Sequence, residues 1–449
     1  MNNIEEINKR YVYFYSGYLL LGFLLRGYIT FQYGIIKGFV DKEVANWFLG
    51  SKYISIILGS LLGSIFVRIS KRKRLIFANT LILISSVPIY WADTELFISV
   101  CGALLGIGIG LSTSIIPFYL NEILPAELSL KILTGLGISL VSGNWLRSTI
   151  EWAIKSNDFR KDSFVAVVAY FFPPLIASVN LLLGLFVFTA NTPKELCEET
   201  NVEICLLEIN KMYDTTDRRV KEYMRVQEAH EETMYRYPSY SEIFSKRHIK
   251  TTLKGIAMIT LHNFSGSLFL RLLSSMGTGY DNTSDFEITT AVLDILKLGA
   301  TFIPFFLITR FGLKKLMLVG FIGIATLPII SFIIRFVGKI KAGDEYFIVI
   351  ELITGLEFIC DGASSCCLPY IYSCKVLPER GFGLGMGSHW ITFSLIMMTF
   401  LIFTTGNFGK DTVYYSYMGL FTGFSMLTVV FIAVCVSDDD EKRESAIGS

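Results

Sequence analysis

The sequence predicts an all-α membrane protein: twelve transmembrane helices in two pseudo-symmetric six-helix halves, joined by a short helical insert. Three observations predict it. A chain of 449 residues that is 52% hydrophobic, 14% aromatic and 18% charged, with mean hydropathy +0.52, is too apolar for a soluble domain of ordinary usage. Apolar segments of about 20 residues, the length that crosses a hydrocarbon core of about 30 Å, recur as six, a charged interval, and six more. Residues 116–128, IPFYLNEILPAEL, return in altered form about 250 residues later as residues 368–381, LPYIYSCKVLPERG. Each copy follows a long apolar run and sets a tyrosine, a charge and a proline at equal spacing: Tyr119, Glu122 and Pro125 against Tyr372, Lys375 and Pro378. Basic loops at 68–74 and 310–315, and the lone arginines Arg26 and Arg271, keep nearly the same offset.

Taken in order, the first-half spans are expected at 12–32, 48–67, 75–92, 96–120, 131–152 and 164–190. The leader MNNIEEINKR is polar and acidic, with no cleavable signal pattern, so the first span is expected to double as the targeting signal. Hydropathy then collapses over 191–250, where Leu206, Ile209 and Tyr213 at helical spacing predict short amphipathic helices on the face of the membrane domain. Second-half spans are expected at 253–275, 288–308, 315–337, 347–373, 383–405 and 413–436. The domain division is therefore 1–190, 191–250, 251–436 and a tail at 437–449.

An even number of spans puts both termini, the insert and both basic loops on one side, which the positive-inside rule makes cytoplasmic. Arg335, Lys339, Lys341, Lys155, Arg160 and Lys161 run against that rule, whereas the opposite loops 92–95 and 277–287 carry acids and no Lys or Arg. Asn282-Thr-Ser is then an external glycosylation sequon, and the plasma membrane is the expected location.

A net charge of +1 argues against a nucleic-acid partner. Eight cysteines form no CxxC or His-spaced zinc pattern, and Cys101, Cys360, Cys366, Cys367 and Cys435 fall in apolar runs, where they read as small buried hydrophobes. No cofactor or metal is expected. Internal duplication in such a chain points to a secondary transporter, with two related halves facing each other across a central site.

Six spans plus six, basic loops after spans 2 and 8, and PxYxxExxP at the end of span 4 resemble the major facilitator superfamily, and within it the sugar porters. Residues 68–74 and 310–315 resemble the loop signature G-x-x-x-D-R-x-G-R-R, Thr192-Pro193-Lys194-Glu195-Leu196 the proline motif after span 6, and Gly106, Gly108 and Gly110 the glycine row of span 4. The resemblance implies alternating access of a sugar-sized solute by a monomer in the lipid bilayer. The departures are specific. The loop aspartate is Val67 in one half and Thr309 in the other, the span 4 arginine is Gly102, and the acid near the end of span 10 is Lys375. The gating residues are then expected to be Arg68, Glu122, Arg310 and Lys375, with Glu122 and Lys375 either paired directly or seated separately among lipid headgroups.

The resemblance also places the solute site. Paired span 7 glutamines align with His262 and Asn263, the Asn-Trp pair of span 11 with His389 and Trp390, and the span 10 tryptophan with Tyr370; Asn144 is the first amide available in span 5. These supply directional hydrogen bonds and ring faces suited to a polyol. At the span 1 position where proton-driven members carry an acid stands Ile29 or, in the other alignment, Gln32, and neither titrates, which implies a uniporter.

Arg26 and Arg271 open a second reading, because an arginine in hydrocarbon is costly unless it faces a cavity or a partner. The pair is arranged to clamp an organic anion or phosphate ester from both halves. In the structural alternative, Asp294, Glu351, Glu357 or Asp361 neutralises them, or the arginines snorkel to the outer surface. A non-transporting sugar sensor is a third class. An enzyme is not indicated, since His262 and His389 have no aligned nucleophile.

Overall fold

The computed structural model describes residues 8–30, 42–91, 94–156, 164–188, 191–198, 202–213, 216–231, 239–246, 248–264, 283–338, 345–405 and 410–436. Among them every regular element is helical. In the first half, span 1 is Lys9–Thr30, span 2 Lys42–Ile65, span 3 Lys71–Ser86 and span 4 Glu95–Ile123; span 5 is Ala126–Leu133 with Gly135–Ser156, and span 6 is Phe164–Leu182, ending in a π turn. The insert holds Pro193–Glu198, Val202–Met212, Thr216–Glu231 and Tyr240–Ile243. In the second half, span 7 is Ile249–Phe264, span 8 Thr283–Ala300 with Phe302–Phe311, span 9 Leu313–Gly338, span 10 Glu345–Ala363 with Leu368–Val376, span 11 Glu379–Thr405 and span 12 Lys410–Cys435.

Seven helices are, among the described residues, both long and apolar enough to cross a bilayer by composition alone. Several that fall short have their apolar run diluted by groups turned toward other helices: Arg147 and Glu151 in span 5, the glycines and His389 in span 11, and an interruption in span 10. Span 3 starts at Lys71, earlier than hydropathy predicts, because its basic first turn is buried against acids. Span 10 departs most. Residues 364–367 leave the helix as Asp361 takes the Ser365 hydroxyl and its carbonyl accepts the amide of Cys366 at 3.1 Å, and Leu368–Val376 follows as a separate helix.

The glycine row of span 4 lets neighbouring helices approach closely. A Cβ at Gly106 would strike the carbonyl of Lys52, one at Gly110 the carbonyl of Ile56, and one at Gly108 would lie 2.7 Å from Ile82 and 2.8 Å from the Ala78 carbonyl. Span 4 thus meets spans 2 and 3 backbone to backbone, where only hydrogen fits. Gly27 and Gly143 make a reciprocal seam between spans 1 and 5. Across the division between the halves, span 2 packs on span 11 and span 5 on span 8.

The insert docks by its predicted apolar stripe. Ile209 and Tyr213 are buried, while Leu206 is half-buried beside buried Cys205 and Met212. Tyr11 at the start of span 1 donates to Glu208 at 2.8 Å, and the Asn8 amide donates to the Met212 carbonyl. Gly312, at φ 79°, closes span 8 in a conformation that a side chain disfavours and turns the chain into span 9.

Candidate functional site

Two clusters of buried polar groups lie where the halves meet. The central one is built by spans 1, 7, 10 and 11. Phe23 and Arg26 share a face of span 1, and the guanidinium carbon lies 5.0 Å from the Phe23 ring centre. The same carbon stands 5.2 Å from Trp390 and 5.3 Å from Tyr370, both in the other half. Arg26 Nη2 donates to the Tyr370 hydroxyl at 3.3 Å, and that hydroxyl also meets His389 Nε2 at 3.2 Å. The break in span 10 aims Tyr370 here, since it lies in the short helix that follows. His262 stacks parallel to His389 at 5.8 Å, and Tyr370 and Trp390 approach His389 edge-on. Asn263 engages both of its amide hydrogens, on the His389 carbonyl at 2.6 Å and the Thr392 hydroxyl at 2.7 Å, and so fixes span 11 against span 7.

Several polar atoms of this cluster have no hydrogen-bond partner among the described residues. They are Nε and Nη1 of Arg26, Nδ1 of His262 and of His389, and the indole nitrogen of Trp390; Asn144 on span 5 adds its Oδ1. Folded proteins leave few buried polar atoms unpaired, and each such atom is costly. A concentration of them between two rings of aromatic surface suits a polar solute that completes the bonding.

His262, Asn263, Tyr370, His389 and Trp390 are therefore brought together as their alignment implied, and Arg26 joins the same cluster. At 3% exposure, flanked by two rings from the opposite half, Arg26 does not snorkel. Among the described side chains no carboxylate lies within ion-pair distance of it: Asp361 pairs with Lys297 and Asp294 accepts from Ser148 at 2.5 Å, while the Glu351 side chain lies outside the described residues. Gln32, Arg271 and the Asn282 sequon lie outside the described residues.

Sequence reasoning missed four intramembrane charges. Lys52, fully buried, donates to the carbonyls of Ile29 and Thr30 at 3.2 and 3.3 Å. Arg147 and Glu151 pair one turn apart on span 5, and Lys297 joins span 8 to span 10 through Asp361. The signal was available, since each is a lone charge or an i,i+4 pair inside an apolar run.

The second cluster closes the insert side. Lys71, fully buried, holds three carboxylates: Glu122 of span 4 at 3.0 Å, Glu195 after span 6 at 3.3 Å and Glu379 of span 11 at 3.0 Å. Arg74 meets Glu379 at 2.5 Å, and Glu122 also accepts from the Thr192 hydroxyl at 2.8 Å. Ser64 donates to the Arg380 carbonyl at 2.7 Å, and Phe118 meets Phe382 edge-on. Of the expected gating residues, Glu122 belongs to this cluster. Arg68 and Arg310 are exposed, because the buried face of each loop belongs to other residues, and Lys375 is half-buried at the end of span 10. The acid missing from the loop signature is replaced by Glu195 and Glu379, which come from elsewhere in the chain. Among the described residues no three His, Cys, Asp or Glu side chains are grouped to hold a metal.

Comparison with known proteins gives a consistent result. The family model described as "Sugar (and other) transporter" matches residues 18–444. The plastidic glucose transporter 4 of Arabidopsis thaliana is 25% identical over 93% of this chain and 76% of its own length. The major myo-inositol transporter IolT of Bacillus subtilis is 24% identical over 92% of this chain and 88% of its own. Among solved structures, the major facilitator superfamily proton:xylose symporter XylE of E. coli, bound to 6-bromo-6-deoxy-D-glucose, superposes with a TM-score of 0.76 at 17% identity, covering 94% of this chain and 95% of that one. That likeness shows the fold.

Proposed function

Because the chain belongs to the sugar (and other) transporter family, we propose that it carries a monosaccharide-sized sugar across a membrane by alternating access. The observation that supports this most is the central cluster, where both halves contribute ring faces and unpaired hydrogen-bonding atoms to one buried place. A polyol presents hydroxyls to such atoms and CH patches to such rings. In the structure the halves are in contact on the insert side through Lys71, Arg74 and Glu379, so opening toward that side requires these pairs to part. The insert side is cytoplasmic in this reading, on the basic loops beside it, and the membrane is the plasma membrane. Residues 1–190 and 251–436 are the two rocking units.

Transport in this reading is facilitated diffusion. Ile29 follows the Gly27-Tyr28 pair where an acid would take a proton, and the buried cation near it, Lys52, is engaged by backbone carbonyls. Reconstituted in liposomes, the protein is expected to take up a labelled monosaccharide at a rate unaffected by a pH gradient; uptake that rises with an imposed proton gradient overturns the uniport assignment. Binding without movement of any sugar identifies a sensor. A second reading, exchange of phosphate esters between Arg26 and Arg271, draws on the unpartnered donors of Arg26 and predicts uptake only with a counter-substrate inside the liposome.

A further inference from the structure

We propose that the sugar carries a single negative charge, as a uronic or aldonic acid does, and that Arg26 binds its carboxylate. This rests on the sugar-transport reading of the central cluster. The argument begins with charge. A guanidinium stays protonated wherever it is placed in a protein, so Arg26, at 3% exposure, is a permanent buried cation. Buried cations are ordinarily paired: Arg147 holds Glu151 and Lys297 holds Asp361, whereas Lys52 is met by backbone carbonyls. Arg26 makes one hydrogen bond, to a phenol, and three ring contacts, and leaves Nε and Nη1 without a partner among the described residues. A guanidinium receives the two oxygens of a carboxylate side by side on Nη2 together with either Nε or Nη1. The one hydrogen bond to Tyr370 uses a single Nη2 hydrogen, so one of these two forks stays open.

Lys52 of span 2 meets the carbonyls of Ile29 and Thr30, three and four residues beyond Arg26 on span 1. His262 and His389 present further nitrogens, and Asn144 an amide oxygen, to which the remaining hydroxyls of a sugar can bond. One free fork suits a monoanion better than the dianion of a phosphate ester, which ordinarily draws two or more cations. The rings of Phe23, Tyr370 and Trp390 hold the guanidinium in place, each at a separation typical of cation–π contact.

The test uses the full chain in liposomes with four labelled solutes in parallel: a neutral hexose, the matching hexuronate, the matching hexonate and the hexose 6-phosphate. The hexuronate or hexonate is expected to enter with an apparent affinity at least about tenfold tighter than the hexose. Arg26→Gln is expected to lower acid-sugar affinity by about 10- to 100-fold, the range for losing a hydrogen bond to a charged group, so that the acid-to-neutral preference disappears; Arg26→Lys keeps the charge without the fork and retains part of it. Entry of the neutral hexose while the acids neither enter nor compete overturns this proposal and leaves the sugar reading standing. So does a preference for the 6-phosphate, or a preference for acids that Arg26→Gln does not alter. Failure of all four to enter overturns both. Should either variant fail to fold, the wild-type selectivity among the four decides.

Discussion

The duplicated stretches ending spans 4 and 10 share a tyrosine, a charge and a proline at the same spacing, yet they have diverged in what they do. The first runs as one unbroken helix, Glu95–Ile123, through Pro117; the second is cut at residues 364–367 and resumes as Leu368–Val376. Tyr119 bonds Tyr15 at 2.8 Å inside the first half, where Phe188 stacks on Tyr15, whereas Tyr370, which stands where the first copy has Pro117, reaches Arg26 across the molecule. The charges have parted as well. Glu122 sits on Lys71, but the second half supplies its acid from Glu379, just after the proline, and holds a lysine at the equivalent of Glu122. Duplication preserved the backbone plan and left each copy free to specialise, one as a rigid wall with a latch contact, the other as the bent arm of the central site.

Four substitutions and one control break or sharpen this contrast. The largest effect is expected from Glu379→Ala, which removes the contact that Lys71 and Arg74 share with the second half; breaking a buried pair by removing one partner costs about 3–5 kcal/mol. Labelling of a cysteine introduced at Ser64, which bonds Arg380 in the closed latch, should rise steeply in that background. Gly106→Ala should cost about 1–3 kcal/mol through overpacking, seen as a lower melting temperature. Gly385→Ala, whose added Cβ would come closest to the end of the Ile259 side chain at 3.2 Å and meet Leu377 and Ile256 at ordinary contact distance, is the tolerated control. Tyr370→Phe keeps the ring and removes the hydroxyl that links Arg26 to His389, and should weaken solute binding by about 1–2 kcal/mol in a titration. The smallest effect is expected from Glu122→Ala, about 1 kcal/mol by thermal shift, because Lys71 keeps two other carboxylates. A larger loss there than at Glu379 would reverse the assignment of roles to the two copies.

Much of this was legible beforehand. Spans of bilayer length and the repeated Tyr–charge–Pro pattern point to the two-half layout, and the family resemblance implies His262, Asn263, Tyr370, His389 and Trp390 as solute contacts. What stayed hidden depended on distance in space. The break after Asp361 spans four residues, too few to disturb hydropathy averaged over a whole span. Lys297 and Asp361 each look like an isolated intramembrane charge until spans 8 and 10 are packed together. Glu379 was overlooked because the eye follows equivalent positions, and its partners lie about 300 residues away. Arg26 was noticed but unplaced, since a sequence shows a charge without showing which acids have already been claimed by others.

Span 2 has a mechanical meaning of its own. It carries Lys52 against the carbonyls of Ile29 and Thr30 and, 12 residues on, Ser64 against the start of span 11, and Gly106 and Gly110 clamp its middle to span 4. At 1.5 Å per residue these two points are about 18 Å apart on one stiff rod. A tilt of about 3° displaces one end by about 1 Å relative to the other, enough to strain a hydrogen bond. A displacement at the Lys52 end can thus be felt at the Ser64 end without any intervening side chain having to rearrange.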